Sequence, residues 1–349
     1  MNPTSLWQSR PRAGARVPFG WLVAAAVLSI ATWLATEWAT HRLTHPHYAE
    51  MLSAARTMQA ATRVFVVEKE ARGLLQPQSI DPNRTGMIGS EFTNITTTLG
   101  DIASKRTTTN PDFAAALVRL IASLDLPRGT PVVIIVSGSF PGANVAAIAA
   151  VEALGLRPII VASLGASMWG ANDPDFNWLD MATVLRARGV IRTKTLAAVL
   201  GGGGSVGSNM DPDGVAALRA SAARDGVPLI DVRPFSALVD SFLEQIADAS
   251  RDGPAPVAPG LMINVGGALL GLGSCRESYE TQPGLTRRAL PCTSGTQGLA
   301  LRLLEQGRPM LQVLNMKRLA LEMGLPFDPN PLPTPGNNPA IYGDKLGGT

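Results

Sequence analysis

The sequence predicts an α/β protein, with an N-terminal transmembrane helix followed by an open, mainly parallel sheet that has helices on both faces. The first observation is one long uncharged segment, residues 17–36. The second is an alternation, from residue 131 onward, of short runs rich in β-branched residues with longer runs of helical spacing. Strands separated by helices pair in parallel through right-handed crossovers, so helices cover both faces of the sheet.

The uncharged segment is long enough to cross a hydrocarbon core of about 30 Å as one helix. Arg10, Arg12 and Arg16 precede it, and the positive-inside bias therefore places residues 1–16 in the cytoplasm. The alternative is a cleaved signal peptide, whose apolar region is normally shorter. We expect a single-pass protein of the cytoplasmic membrane with an extracytoplasmic C-terminal domain.

A juxtamembrane helix is predicted next, over residues 48–72, where apolar positions recur at helical spacing. Residues 73–110 are polar and hold two threonine clusters, TNITTTLG and KRTTTNPDF. A loop of this length in a compact domain is usually functional or disordered, so these threonines are either ligand contacts or ordinary caps and turns. Asn110 before Pro111 predicts the start of a helix.

Five strands and four connecting helices are predicted in the part of the chain that follows. The strands are predicted at residues 131–136, 157–163, 195–200, 227–231 and 261–265. The helices are predicted at residues 143–154, 177–187, 213–226 and about 234–250. The chain is then divided into a cytoplasmic N-terminus (1–16), an anchor (17–36), a juxtamembrane helix with the Thr-rich segment (37–110), an α/β domain (111–325) and a Pro/Gly-rich tail (326–349).

The loops that leave the carboxyl ends of these strands lie on one edge of the sheet, where open α/β folds bind ligands. They read SGSFPGAN, SLGASMWGANDPDF, GGGGSVGSNMDPDG, DVRPF and NVGGALLGLGS. Small residues let a ligand approach the backbone, and helix starts offer N–H groups to carboxylate or phosphate oxygens. The alternative for each loop is a tight turn with a helix cap. The candidate ligand contacts are Ser137, Ser139, Asn144, Ser167, Trp169, Asn172, Asp173, Gly203, Gly204, Ser205, Arg233 and Asn264.

The run GGGGSVG supports a nucleotide-binding alternative. Gly202, Gly204 and Gly207 match the dinucleotide pattern G-x-G-x-x-G, and Asp231 ends the next predicted strand, where a ribose-binding acid would lie. Against this hypothesis, the following helix is predicted to begin near Asp211, too late for the last glycine to lie in its first turn. The nucleotide-binding alternative stays open on this evidence from the residues.

The same run places Ser205 in the pattern G-x-S-x-G of nucleophilic serines. A Ser-His-Asp enzyme of that type needs a histidine after the serine, but the three histidines lie within residues 41–47. A serine activated by a lysine stays open, with Lys194 nearby in sequence. No metal or cofactor site is predicted, and no catalytic residue is assigned.

Charge and cysteine content bear on partners and compartment. The net charge is +3 and the basic residues are scattered, so nucleic acid is not expected as a partner. Cys275 and Cys292 lie in one stretch rich in Gly, Pro and Thr, and an extracytoplasmic location would let them pair. Two unpaired, buried thiols are the alternative, because spacing alone does not establish a bridge.

Four motifs carry a resemblance to a known family: GMIGSEFTNITTTLGDIASKRTTTNPDFAAALVRL, SGSFPGAN, SLGASMWGANDPDFNWLD and GGGGSVG. Together they resemble the bacterial family called poly-gamma-glutamate system protein, over roughly residues 73 to 325. The resemblance implies a membrane-anchored accessory factor in making, exporting or retaining poly-γ-glutamate. It transfers no catalytic residue to this chain.

The residues and the resemblance together predict that the strand-end loops bind the anionic polymer or the membrane subunits of its synthase. Arg233 and Arg276 would add charge-assisted hydrogen bonds, and Trp169 would contact the methylene groups of the polymer. One rival is an extracytoplasmic γ-glutamyl hydrolase or transferase that uses Ser139 or Ser205. The other rival is a scaffold that assembles the synthase in the membrane.

Overall fold

The structure is a computed structural model that describes residues 18–40, 44–251, 257–288 and 291–343. The chain forms two compact units. The first, within residues 1–44 and 343–349, contains helix α1 (Phe19–Thr40). The predicted cytoplasmic N-terminus, residues 1–16, lies outside the described residues.

Helix α1 confirms that the uncharged N-terminal segment is helical. The segment Phe19–Thr36 of this helix is long and apolar enough to cross a membrane, and its side chains are exposed. By length and composition the helix fits either a membrane anchor or a signal sequence.

The second unit spans His45–Tyr342 and contains the strands described below. Its strands are β1 (Thr96–Thr98), β2 (Pro131–Ser137), β3 (Arg157–Ser163), β4 (Ala166–Ser167), β5 (Thr195–Val199), β6 (Leu261–Val265), β7 (Gly284–Thr286) and β8 (Met310–Val313). Its helices are α2 (Tyr48–Arg72), α3 (Ile102–Thr107), α4 (Pro111–Ala122), α5 (Pro141–Ala153), α6 (Trp178–Ala187), α7 (Pro212–Arg224), α8 (Phe235–Ala249), α9 (Leu269–Leu272), α10 (Leu299–Glu305), α11 (Met316–Glu322) and α12 (Pro339–Tyr342).

The main sheet has the strand order β5-β3-β2-β6-β8-β7, and it is parallel except for β7, which pairs antiparallel with β8 at one edge. Successive side chains of a strand point to opposite faces. In β2, Val132 and Ile134 join one apolar core, while Val133 and Ile135 join the other. Helices α2, α4, α5 and α6 contribute to the first core, and α8 and α10 contribute to the second. The predicted fold class is therefore confirmed.

Individual predictions of elements are largely confirmed as well. Helix α2 covers the predicted residues 48–72, and strands β2, β3, β5 and β6 lie where β-branched runs predicted them. Asn110 caps α4, since its side-chain oxygen accepts a hydrogen bond from the backbone N–H of Asp112 at 3.0 Å. Helix α7 begins at Pro212, close to the predicted start.

One predicted strand is wrong. Residues 227–231 form no strand in the described structure and make a single parallel bridge, between Leu229 and Ala198 of β5. Two hydrogen bonds hold this bridge, from Ala198 N–H to the Pro228 carbonyl and from Ile230 N–H to the Ala198 carbonyl. Pro228 has no N–H to donate, which limits further pairing at this edge.

The polar segment 73–110 is ordered and lies on the carboxyl edge of the sheet. Its strand β1 pairs in parallel with β4, which follows β3. Asp81 closes a turn by accepting hydrogen bonds from the N–H groups of Thr85 and Gly86. The Thr-rich residues therefore stand beside the strand-end loops. Farther along the chain, Cys275 and Cys292 form a disulfide.

Candidate functional site

A cavity of about 630 Å³ lies at the carboxyl edge of the sheet. Strand register brings serines together there, because Ser137 at the end of β2 pairs with Ser163 at the end of β3. The lining comes from the two loops after these strands and from the Thr-rich segment. It also includes the glycine loop, residues 201–207, and the loops after β6 and β8. The lining residues are Thr97, Thr98, Leu99, Gly100, Asp101, Ser104, Lys105, Ser137, Ser139, Phe140, Ser163, Gly165, Ser167, Gly202, Gly203, Gly204, Asn209, Gly267, Ala268, Leu269, Leu314, Asn315 and Met316.

Three serines from the first two loops are connected by hydrogen bonds. The N–H of Ser139 donates to Ser137 Oγ at 3.1 Å, and the N–H of Ser167 donates to Ser139 Oγ at 3.0 Å. Glycines make this contact of the loops sterically allowed, since a Cβ on Gly170 would lie 2.7 Å from the Gly138 carbonyl oxygen. The hydroxyl groups are thus held in fixed positions at the cavity wall.

Lys105 is the basic residue in the described lining of this cavity, and only 2% of its surface is exposed. Its Nζ donates hydrogen bonds to Ser167 Oγ at 2.6 Å and to the Ser139 carbonyl oxygen at 2.5 Å, and it lies 3.8 Å from the centre of the Phe140 ring. Burial lowers the pKa of Lys105 to about 7, although the carboxylate of Asp101 acts in the opposite direction. Near neutral pH this side chain is therefore divided between ammonium and amine.

Helix α3 positions Lys105, and its own position depends on side-chain contacts. Asp101 caps the helix by accepting a hydrogen bond from the N–H of Ser104 at 2.9 Å. On the next position, Arg106 forms a two-pronged ion pair with Asp328, at 2.7 and 2.5 Å. Thr107 Oγ1 accepts a hydrogen bond from the N–H of the same aspartate. These contacts fix the position of the helix that carries Lys105.

The glycine loop forms another wall of the cavity. Asn209 connects it to β1, because its side chain accepts a hydrogen bond from Gly203 N–H at 2.6 Å and donates one to the Thr97 carbonyl at 3.0 Å. Gly204 has a φ of +62°, a conformation that favours glycine. Gly207 precedes α7 by several residues, and Asp231 forms an ion pair with Arg219. This geometry differs from that of a dinucleotide-binding turn, whose last glycine packs within the helix start.

A second groove of about 330 Å³ continues from the cavity along β1. The two share Thr97, Thr98, Leu99 and Asn209. Leu99 is 82% exposed and Phe92, in the second groove, is 66% exposed. The two pockets therefore adjoin, and both have polar and apolar side chains in their lining.

The structure brings some of the predicted ligand contacts together and separates others. Ser137, Ser139, Ser167, Gly203 and Gly204 line the cavity. The remaining candidates lie outside its lining, and they are Asn144, Trp169, Asn172, Asp173, Ser205, Arg233 and Asn264.

Several of these residues hold the loops in place instead. Asn172 is fully buried, where it donates to the Ser90 carbonyl and to Thr96 Oγ1 and accepts from Ser90 N–H. Trp169, at a φ of +64°, exchanges backbone hydrogen bonds with residues 89 and 90. Asn144 of α5 binds the backbone of Ser137 at the end of β2.

The other candidates have surroundings of a different kind. Ser205 is buried, and its hydroxyl has no hydrogen-bond partner among the described residues. Asn264 is buried and donates hydrogen bonds to Gln312 and to the Gly266 carbonyl. Burial raises the pKa of Asp173, which accepts a hydrogen bond from Asp175 N–H. Arg233 is exposed.

Sequence reasoning missed Lys105, which the structure places at the centre of the site. The signal available was its position in the motif KRTTTNPDF of the Thr-rich segment, which the sequence left as either functional or structural. Lys194, the lysine considered from sequence proximity, is exposed and donates to the Gly226 carbonyl. Within the described residues, no group of three His, Cys, Asp or Glu side chains is arranged to hold a metal ion.

The fold and the cavity define an α/β protein with a polar cavity at the carboxyl edge of a mostly parallel sheet. Comparison with family models, with curated proteins and with solved structures gives no match.

Proposed function

We propose that this protein is a membrane-anchored accessory protein of poly-γ-glutamate synthesis or export, and that it binds the polymer in the Lys105 cavity. The observation that carries the proposal is the contact of the Lys105 amine with the serine cluster at the sheet edge. Poly-γ-glutamate bears one free carboxylate per residue on a chain of amides. Ammonium and hydroxyl groups are suitable donors for both kinds of oxygen.

The shape of the site supports an extended ligand. The cavity and the groove along β1 share lining residues, so a chain that enters one continues into the other. Each residue of the polymer also has two methylene groups between its carboxylate-bearing carbon and the amide. Leu99 and Phe92 are exposed along this path and offer apolar contact to those methylenes, in the role that the sequence assigned to Trp169.

The anchoring part of the proposal depends on α1. Its exposed apolar surface is suited to lipid or to apolar membrane subunits of a synthase, and residues 45–342 would then lie outside the cytoplasm. The protein would hold newly made polymer close to the membrane where it emerges.

Binding of fluorescently labelled poly-γ-glutamate to the full-length protein in detergent tests the proposal. Replacing Lys105 with Met keeps an unbranched apolar side chain but removes the charge, and we expect the affinity to fall tenfold or more, about 1.4 kcal/mol. Lys194→Met is the matched control, since this exposed lysine lies outside the cavity, and it should bind like the wild type. Equal affinity in all three proteins would refute a role for the cavity.

A further inference from the structure

The hydrogen bond between Lys105 Nζ and Ser167 Oγ, at 2.6 Å, has the geometry of a general base next to a nucleophile. From this contact we infer that Ser167 and Lys105 form a catalytic pair for acyl transfer, which cleaves γ-glutamyl amide bonds in the cavity. The choice of substrate rests on the proposed function, whereas the reactivity of the pair does not. The inference adds a chemical step to a site proposed above only for binding.

Ser167 is the serine that the geometry selects. Lys105 contacts the hydroxyl of Ser167 but only the backbone carbonyl of Ser139. Ser139 Oγ instead accepts a hydrogen bond from the backbone N–H of Ser167, and this contact positions Ser167 as the nucleophile. Ser205, the serine in the G-x-S-x-G pattern, is buried outside the cavity lining.

The surroundings of Lys105 suit a base. A lysine acts as a base only as the neutral amine, and burial lowers its pKa to about 7, which makes a large fraction neutral at physiological pH. Asp101, on the N-terminal side of the same helix, is the one other side chain with an acidic or basic group in the described lining. The loops after β2 and β3 face the lysine with serine, glycine and Phe140.

The steps balance with water as the acceptor. Ser167 Oγ bonds to the carbonyl carbon of the γ-glutamyl amide while its proton passes to the Lys105 amine. The C–N bond then breaks, and the leaving amine takes that proton, which leaves an ester on Ser167. Water adds to the ester carbon and gives a proton to Lys105, and Ser167 Oγ leaves with it. If an amine takes the place of water, the same steps transfer the γ-glutamyl group.

Binding and chemistry use different protonation states of Lys105. The ammonium favours a carboxylate beside it, whereas the amine activates Ser167. Polymer affinity should therefore fall as the pH rises through the pKa of Lys105, and reactivity of Ser167 should rise over the same range.

Labelling by a fluorophosphonate tests the pair without any polymer, because the reagent phosphonylates activated serines. We use the full-length protein in detergent, locate the added mass by peptide mass spectrometry, and measure the labelling rate from pH 5 to 9. We expect modification of Ser167, with a rate that rises about tenfold per pH unit below the pKa of Lys105 and then levels off. Lys105→Met should lower the rate at least 100-fold, within the range of a lost general base.

Ser123→Ala is the control, since Ser123 is an exposed serine outside the cavity lining. It should label like the wild type. Release of p-nitroaniline from γ-glutamyl-p-nitroanilide, lost in Ser167→Ala, would extend the result to an amide. Absence of labelling, labelling of another serine, or a rate independent of pH in the wild type overturns the inference even if Lys105→Met fails to fold. Failure of polymer binding alone, with Ser167 labelled as expected, would refute the proposed function and leave the pair intact.

Discussion

Lys105 is the group whose charge is most sensitive to what occupies the cavity. It is withdrawn from solvent, and its nearest partners are two neutral oxygens, so its ammonium form has no carboxylate in direct contact. A ligand carboxylate placed beside it would favour the ammonium and raise the pKa of Lys105. Binding of a carboxylate ligand in the cavity would therefore be coupled to proton uptake at this residue.

This coupling predicts how polymer affinity depends on pH. Below about pH 7 the lysine is already charged in the free protein, and affinity should be independent of pH at that end. Above it, binding must take up a proton, so affinity should fall by up to about tenfold per pH unit until the pKa of the bound state is reached. Fluorescence anisotropy with labelled poly-γ-glutamate at constant ionic strength measures this. Affinity that rises above pH 7 would contradict the ammonium as the binding form.

Hydrogen bonds of side chains join the segment that contains strand β1 to the loop after β3, and no local pattern in the sequence predicts these contacts. Besides the pairing of β1 with β4, Asn172 binds the backbone of Ser90 and the hydroxyl of Thr96, and its carbonyl accepts a hydrogen bond from Thr93. These contacts hold the Thr-rich wall of the cavity against the loop that carries Ser167. The wall would separate from the loop if they were lost.

Replacing Asn172 with Ala should therefore lower stability. The change leaves the Ser90 N–H without its acceptor and removes one hydrogen bond each from the Ser90 carbonyl and from Thr96 Oγ1, and we expect a loss on the order of 3 kcal/mol in the free energy of unfolding. Denaturant unfolding followed by tryptophan fluorescence measures it. The matched control is Asn337→Ala at an exposed position, which should change stability by less than about 0.5 kcal/mol. Equal stability of the two variants would contradict the structural role.

The contrast between these elements explains what the sequence predicts well. Buried parallel strands such as β2 need continuous β-branched runs, and this local requirement made them predictable along with the edge where their loops meet. Asn172 resembled a ligand contact because its partners at residues 90 and 96 come from a segment distant in sequence. The place of Lys105 in the cavity was missed for the same reason. Its contact with Ser167 depends on the pairing of β4 with β1, which no local pattern in the sequence shows.

In the whole molecule, an apolar helix precedes a polar site and a disulfide, and this combination favours an extracytoplasmic domain. Disulfides persist in oxidising compartments, and the bridge between Cys275 and Cys292 closes a loop within the second unit. Polymer on the outer side of the membrane would meet the cavity only if residues 45–342 face that side. Topology therefore bears on both the bridge and the proposed function.

Fusion of reporters after Thr349 tests this topology. Arg10, Arg12 and Arg16 precede the apolar segment, so the positive-inside bias should keep the N-terminus in the cytoplasm and place the C-terminus outside. An alkaline phosphatase fusion, which folds only in an oxidising compartment, should be active, and a green fluorescent protein fusion exported in the unfolded state should be dark. As a control, replacing the three arginines with Glu should reduce phosphatase activity, because it removes the orienting charge. A bright fluorescent fusion with inactive phosphatase in the wild type would place the domain in the cytoplasm and refute polymer binding at the cell surface.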